Sequence, residues 1–151
     1  MNHRWPTLIL VGECPPKENR DACLGQFAQK LEKVSGVTHG DYIAHTIRTN
    51  LFEVPPDHWS RGRAEEQARM MLEGKERRAL TIVLFGNRVH DAFARWLPLK
   101  GMNFLDCRQV GPLCVYFFPH PSGLNHWWND PYHRAVAGEL FKRLVSEEAA
   151  S

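Results

Sequence analysis

Three short stretches hold the side chains best suited to chemistry. Phe118-Pro119-His120-Pro121-Ser122-Gly123-Leu124-Asn125 brings a histidine, a serine and a leucine together between two prolines and a glycine. Such a turn is poorly suited to simple chain reversal and well suited to holding a polar ligand. Its bland alternative is a rigid loop with a surface histidine. Gly12-Glu13-Cys14-Pro15-Pro16 sets a carboxylate and a thiol directly behind an apolar run. The prolines stiffen that loop and keep a helix from starting at once. Glu13 can then face a pocket, or simply lie exposed. Arg48-Thr49-Asn50 carries an amide near the end of a third apolar segment. Asparagine is depleted in strands, so Asn50 has a turn role or a ligand-reading role.

The elements that must position these residues are legible as apolar runs and stripes. Thr7 to Val11, closed by Gly12, has the unbroken hydrophobicity of a parallel strand covered on both faces. Ala79 to Phe85, ending at Gly86-Asn87, and Leu113 to Phe118 read the same way. Asp41 to Phe52 reads as a strand through Tyr42, Ile43, Ile47 and Leu51, stopped by Val54-Pro55-Pro56. Phe104 to Val110 is irregular or a short edge strand. Asp21 to Ser35 predicts a helix with Leu24, Phe27, Ala28, Leu31 and Val34 on one stripe, stopped by Gly36. On that pattern Phe27 belongs to the core. Ser60 to Arg78 predicts a charged helix with Ala64, Ala68, Met71 and Leu72 inward. A short helix carries Val89, Ala92, Phe93 and Trp96. Asp130 caps a last helix with Pro131 at its first position and Val136, Leu140, Phe141 and Leu144 inward.

Strands alternate with helices, which predicts an α/β fold: a three-layer α/β/α sandwich with a mainly parallel central sheet. In such sheets ligands bind beyond the carboxyl ends of the strands. Glu13, Asn50 and His120 follow three strands, so the topology brings them to one edge.

The 151 residues predict a single domain spanning 1–151, and 43% hydrophobic with 24% charged residues is ordinary globular composition. A net charge of +2 permits a polyanionic partner without requiring one. No stretch has the length of a membrane span or the pattern of a signal peptide, which predicts a cytoplasmic protein, read as a monomer. Cys14, Cys23, Cys107 and Cys114 form no C-x-x-C pair and read as free thiols, so neither a metal nor a cofactor is expected.

The three chemical stretches, in this order, resemble the uracil-DNA glycosylase superfamily. Leu10-Val11-Gly12-Glu13-Cys14-Pro15 resembles its first active-site motif, in the Gly-Glu-Ala-Pro-Gly form of an iron–sulfur subgroup. Ile47-Arg48-Thr49-Asn50-Leu51-Phe52 resembles its Thr-Asn segment. His120-Pro121-Ser122-Gly123-Leu124 resembles its second motif, His-Pro-Ser followed by leucine. The cysteine spacing departs from the cluster ligands of that subgroup. Cys14 stands where other subgroups place an aspartate or asparagine, and Pro16 replaces a common glycine.

The resemblance implies a DNA glycosylase that hydrolyses the N-glycosidic bond of a flipped-out uracil or 5-substituted pyrimidine. His120 would hydrogen-bond the leaving base, and Glu13 would orient water and stabilise the sugar cation. Asn50 would read the pyrimidine edge. Gly12, Cys14 and Pro15 would line the pocket. Ser122 and the Gly123 N–H would hold a phosphate, and Leu124 would fill the gap left in the base stack. His126, Trp127 and Trp128 would flank the strand, or one tryptophan would be buried under the last helix. Two rivals remain at this point. One is a non-catalytic module on the same fold that binds nucleic acid or blocks a partner. The other is a metallohydrolase using His120, His126 and His133, whose spacing fits no familiar ligand pattern.

Overall fold

A computed structural model describes residues 5–14, 23–75, 77–122 and 125–150. Its centre is a five-stranded sheet of β1 (Leu8–Gly12), β2 (Ile47–Asn50), β3 (Thr81–Phe85), β4 (Cys107–Val110) and β5 (Leu113–Phe118), in the order β2-β1-β3-β5-β4. All neighbours are parallel except β4, which pairs antiparallel with β5. Phe104 to Val110 thus resolves as irregular chain followed by a short edge strand.

Alternation along the strands sends side chains into two cores. Ile9, Val11, Ile82, Leu84, Leu113, Val115 and Phe117 face α3 (Arg61–Leu72) and α4 (Asn87–Ala94). Leu8, Leu10, Val83, Phe85 and Phe118 face α1 (Gln26–Ser35), α2 (His39–His45) and α5 (Pro131–Ala150). Helices on both faces give the α/β/α layering, and burial on both faces explains the unbroken apolar strands.

The helices begin and end where local chemistry allows. Gly36, at φ 75°, closes α1 in the left-handed conformation, its N–H donating to the Glu32 carbonyl. Ser60 caps α3 by accepting from the Arg63 N–H. Gly138 lets α5 pass against α1, because a Cβ there would overlap the Val34 carbonyl.

Several expectations are corrected. The segment read as one strand from Asp41 to Phe52 is α2 followed by β2. Thr38 caps α2 by accepting from the Asp41 N–H, and Tyr42 is buried with its hydroxyl donating to the Cys23 carbonyl. The β-forming tendency of Tyr42 and Ile43 yields to that tertiary anchor. α1 starts at Gln26, after Gly25, rather than at Asp21, and Asp21 itself lies outside the described residues. α3 stops at Leu72, ahead of Gly74 at φ 77°. α4 ends before Trp96, which is exposed and donates from its indole to the Glu65 carbonyl. On α5, Val136 is exposed, and Ala137, Phe141, Leu144 and Val145 form the buried stripe. No described helix is long and apolar enough to cross a membrane.

Candidate functional site

The strand order defines where a ligand crevice can open. From β1 the chain goes one way to β2 and the other way to β3, so the order reverses between β1 and β3. In open α/β sheets the crevice beyond the carboxyl ends at that reversal is the usual binding place. Glu13 follows β1 there. Gly86 ends β3 and His120 follows β5, one strand beyond.

Two glycines bring these groups together. Gly86 has φ 94°, and a Cβ on it would lie 3.3 Å from the His120 Cβ. With no side chain at Gly86, His120 can lean over the end of β3 towards β1. Its Nε2 comes to 3.9 Å from Glu13 Oε2. Gly12 pairs with Asn50 in register, and a Cβ on Gly12 would lie 2.5 Å from Asn50 Oδ1. The bare glycine is what lets the amide lie over β1 beside Glu13. The β1–β2 ladder continues past both strands, with Leu51 and Phe52 N–H donating to the Gly12 and Glu13 carbonyls. That fixes the backbone of Glu13.

The loop after β5 is held from below. The His120 carbonyl accepts from the Trp128 indole at 2.9 Å, the Asn125 amide at 3.2 Å and the Ser122 N–H at 2.8 Å. Trp128 is buried, as expected for one of the tryptophans, so its part is to hold this loop. Trp127 stacks on His133 at 4.4 Å and is also tied to the interior.

Burial holds the His120 imidazole below its ordinary range, against a weaker upward pull from Glu13. At neutral pH the ring is therefore uncharged, and its approach to Glu13 is not an ion pair. A neutral ring carries one N–H donor and one acceptor nitrogen. The Cys14 thiol is raised by burial and then by the neighbouring Glu13 carboxylate. It packs partly into the α3/α4 core and is not primed as a nucleophile. Cys23 is buried beneath the site, within 3.9 Å of Asn50 Oδ1, and burial pushes its thiol up to about 12.

Sequence reasoning missed one residue, Arg88, while Phe27 packs on the core as expected and also reaches the site. Arg88, in the first turn of α4, reaches Glu13 Oε1 at 3.5 Å and lies over the Trp59 ring at 5.1 Å. An arginine at a helix N-terminus opposes the helix dipole, and that was the available signal. Phe27, read as core, stands edge-on to both Phe85 at 4.8 Å and His120 at 5.8 Å. It is half-buried and gives the site an aromatic wall.

A polar cleft of about 980 Å³ opens on the Asn50 side, lined by Arg48, Thr49, Asn50, Phe52, Arg63 and others. A smaller apolar cavity of about 360 Å³ runs along β1 and β2 under Met71 and Leu72, and contains none of Glu13, Asn50 or His120. Ser122 is half-buried in the loop. Pro15, Gly123 and Leu124 lie outside the described residues. Among the described residues no three His, Cys, Asp or Glu side chains converge as a metal site. His133 is turned to the Trp127 carbonyl and His126 to Asn129, so the three histidines do not point at one centre.

Compared with known proteins, the chain matches no family model and no curated sequence.

Proposed function

We propose that the chain is a DNA glycosylase acting on a flipped-out uracil or 5-substituted pyrimidine and leaving an abasic site. The observation that carries this reading is the juxtaposition of Glu13 and a neutral His120, 3.9 Å apart across the end of β3, with Asn50 one strand away. N-glycosidic hydrolysis needs a donor for the departing base and a carboxylate for the sugar cation and its water. It also needs a group that recognises the base edge.

The neutral imidazole of His120 donates a hydrogen bond to the base oxygen where negative charge develops. An oriented donor in a partly buried site is the kind of stabiliser worth several kcal/mol at the transition state, roughly 3 by analogy with oxyanion holes. Glu13 Oε2 holds water and faces the positive sugar. Its other oxygen faces the Arg88 guanidinium at 3.5 Å. Asn50 offers a donor and an acceptor to the pyrimidine edge. Phe27 supplies a surface against which the base can lie. The Arg63 side chain beside the polar cleft suits a phosphate, whereas Arg48 is turned to the Ile43 and Thr46 carbonyls.

The rival with an observation in its favour is a non-catalytic DNA-binding module on the same site. The Arg88 guanidinium offsets part of the Glu13 charge that the sugar cation would use.

Single-turnover incubation with matched oligonucleotides, followed by alkaline strand cleavage, separates the two. The panel contains uracil, 5-hydroxymethyluracil and 5-substituted cytosines, in single and double strands. The glycosylase reading expects cleavage at one base of the panel, with a 5-substituted pyrimidine released faster than uracil. Tight binding without cleavage at any base supports the module. Neither binding nor cleavage overturns both.

A further inference from the structure

The antiparallel edge of the sheet carries a feature the proposed reaction does not use. Val110 and Leu113 face each other across a two-residue turn that begins at Gly111, φ 58°. That turn fixes the register, in which Cys107 opposes Tyr116 and Cys114 opposes Gln109. Cys107 and Cys114 are therefore diagonal neighbours on one face of the hairpin. Their sulfurs are 3.1 Å apart. A disulfide is about 2.05 Å long, so modest side-chain rotation closes the gap. Cys107 is exposed and Cys114 half-buried. Tyr116, directly opposite Cys107, flanks the pair.

We infer that Cys107 and Cys114 are a dithiol redox site that a hydroperoxide oxidises to an intramolecular disulfide, fastening edge strand β4 to β5. The exposed Cys107 sulfur attacks the outer peroxide oxygen as thiolate. The O–O bond breaks, the alkoxide or hydroxide takes a proton and leaves, and Cys107 becomes a sulfenic acid. The Cys114 sulfur then attacks the Cys107 sulfur. An S–S bond forms, the S–O bond breaks, and the Cys114 proton leaves with the hydroxide as water. Two thiols lose two electrons, and the peroxide gains them. Burial pushes the Cys114 thiol up to about 11, so it stays protonated and serves as the resolving partner rather than the first target.

The test treats reduced, full-length protein with a small excess of hydrogen peroxide, alkylates remaining thiols, and measures intact mass and peptide maps. The expected product is monomeric and about 2 Da lighter, links Cys107 to Cys114, and reverts with dithiothreitol. Its Tm should rise by about 5 °C, as closing a short loop predicts. In Cys114→Ser, Cys107 should accumulate as a sulfenic acid trapped by dimedone. In Cys107→Ser, Cys114 should remain a thiol. Circular dichroism of both variants checks that they are folded. Over-oxidation of Cys107 in the wild type with Cys114 still alkylatable would overturn the proposal, as would first reaction at Cys14. A peroxide-induced dimer through Cys107 would overturn it too. None of these readouts depends on base release, so the inference stands or falls apart from the proposed reaction.

Discussion

His120 is the residue whose state decides the most. Its burial costs the charged form more than Glu13 returns, so it titrates below the ordinary histidine value of about 6.5. A buried base with a depressed pKa contributes stability that is complete above about pH 6.5 and is lost as pH falls towards the folded value, because the unfolded chain binds the proton more readily. We expect the His120 ring signal in an NMR titration to have its midpoint below 6.5. In Glu13→Gln the midpoint should move lower still, since the carboxylate is the group pulling it up. An unchanged midpoint would mean that the two groups do not face each other in solution. For activity, Glu13→Gln and His120→Ala should each slow base release by about 10² or more, the scale of losing one preorganised electrostatic group. Near wild-type single-turnover rates in either variant would remove that residue from the mechanism. Glu13 and His120 stood out in the sequence because each follows an unbroken apolar strand, whereas Asn50 ends the short, half-exposed β2 and was marked only by its residue type. Arg88 carried only the weak local mark of a cation at a helix N-terminus, and its partner, 75 residues away, is not visible from that mark.

At the scale of elements, α1 and α5 pack backbone to backbone at Gly138. Adding a methyl at Gly138 places it against the backbone of Val34, which cannot swing aside as a side chain does. Gly138→Ala gains about 1 kcal/mol of helix propensity but must prise two helices apart. We expect a net loss on the order of 2 kcal/mol, read in urea denaturation as a lower midpoint at unchanged slope. Ser60→Ala removes the α3 cap and should cost about 1 kcal/mol; Ser60→Asp should restore it. β1, β5 and the start of α5 were legible because fully buried strands are unbroken apolar runs and Asp-Pro marks a helix start. α2 was not, because a helix of seven residues has little periodicity of its own. It is held by burial of Tyr42 and by a hydroxyl bond to Cys23, neither of which is visible in local sequence.

Across the whole molecule, the proposed site sits beyond the carboxyl ends of the inner strands, while the cysteine pair lies on the antiparallel β4–β5 edge of the sheet. The architecture was legible from the alternation of strands and helices. The strand order was not, since apolar runs say that strands are buried but not which strands are neighbours.

That order also sets a sequence of loss. β3 is bonded on both sides, and β1 and β5 flank it, whereas β2 is bonded on one side only. Deuterium should therefore enter the β2 amides well before those of Ile82–Phe85, a contrast that hydrogen exchange followed by mass spectrometry resolves by segment. Asn50 rides on an edge strand, while Glu13 and His120 hang from inner strands. On the proposed function, mild heating would then cost the protein its recognition before its reactivity. Its fidelity would melt at a lower temperature than its fold.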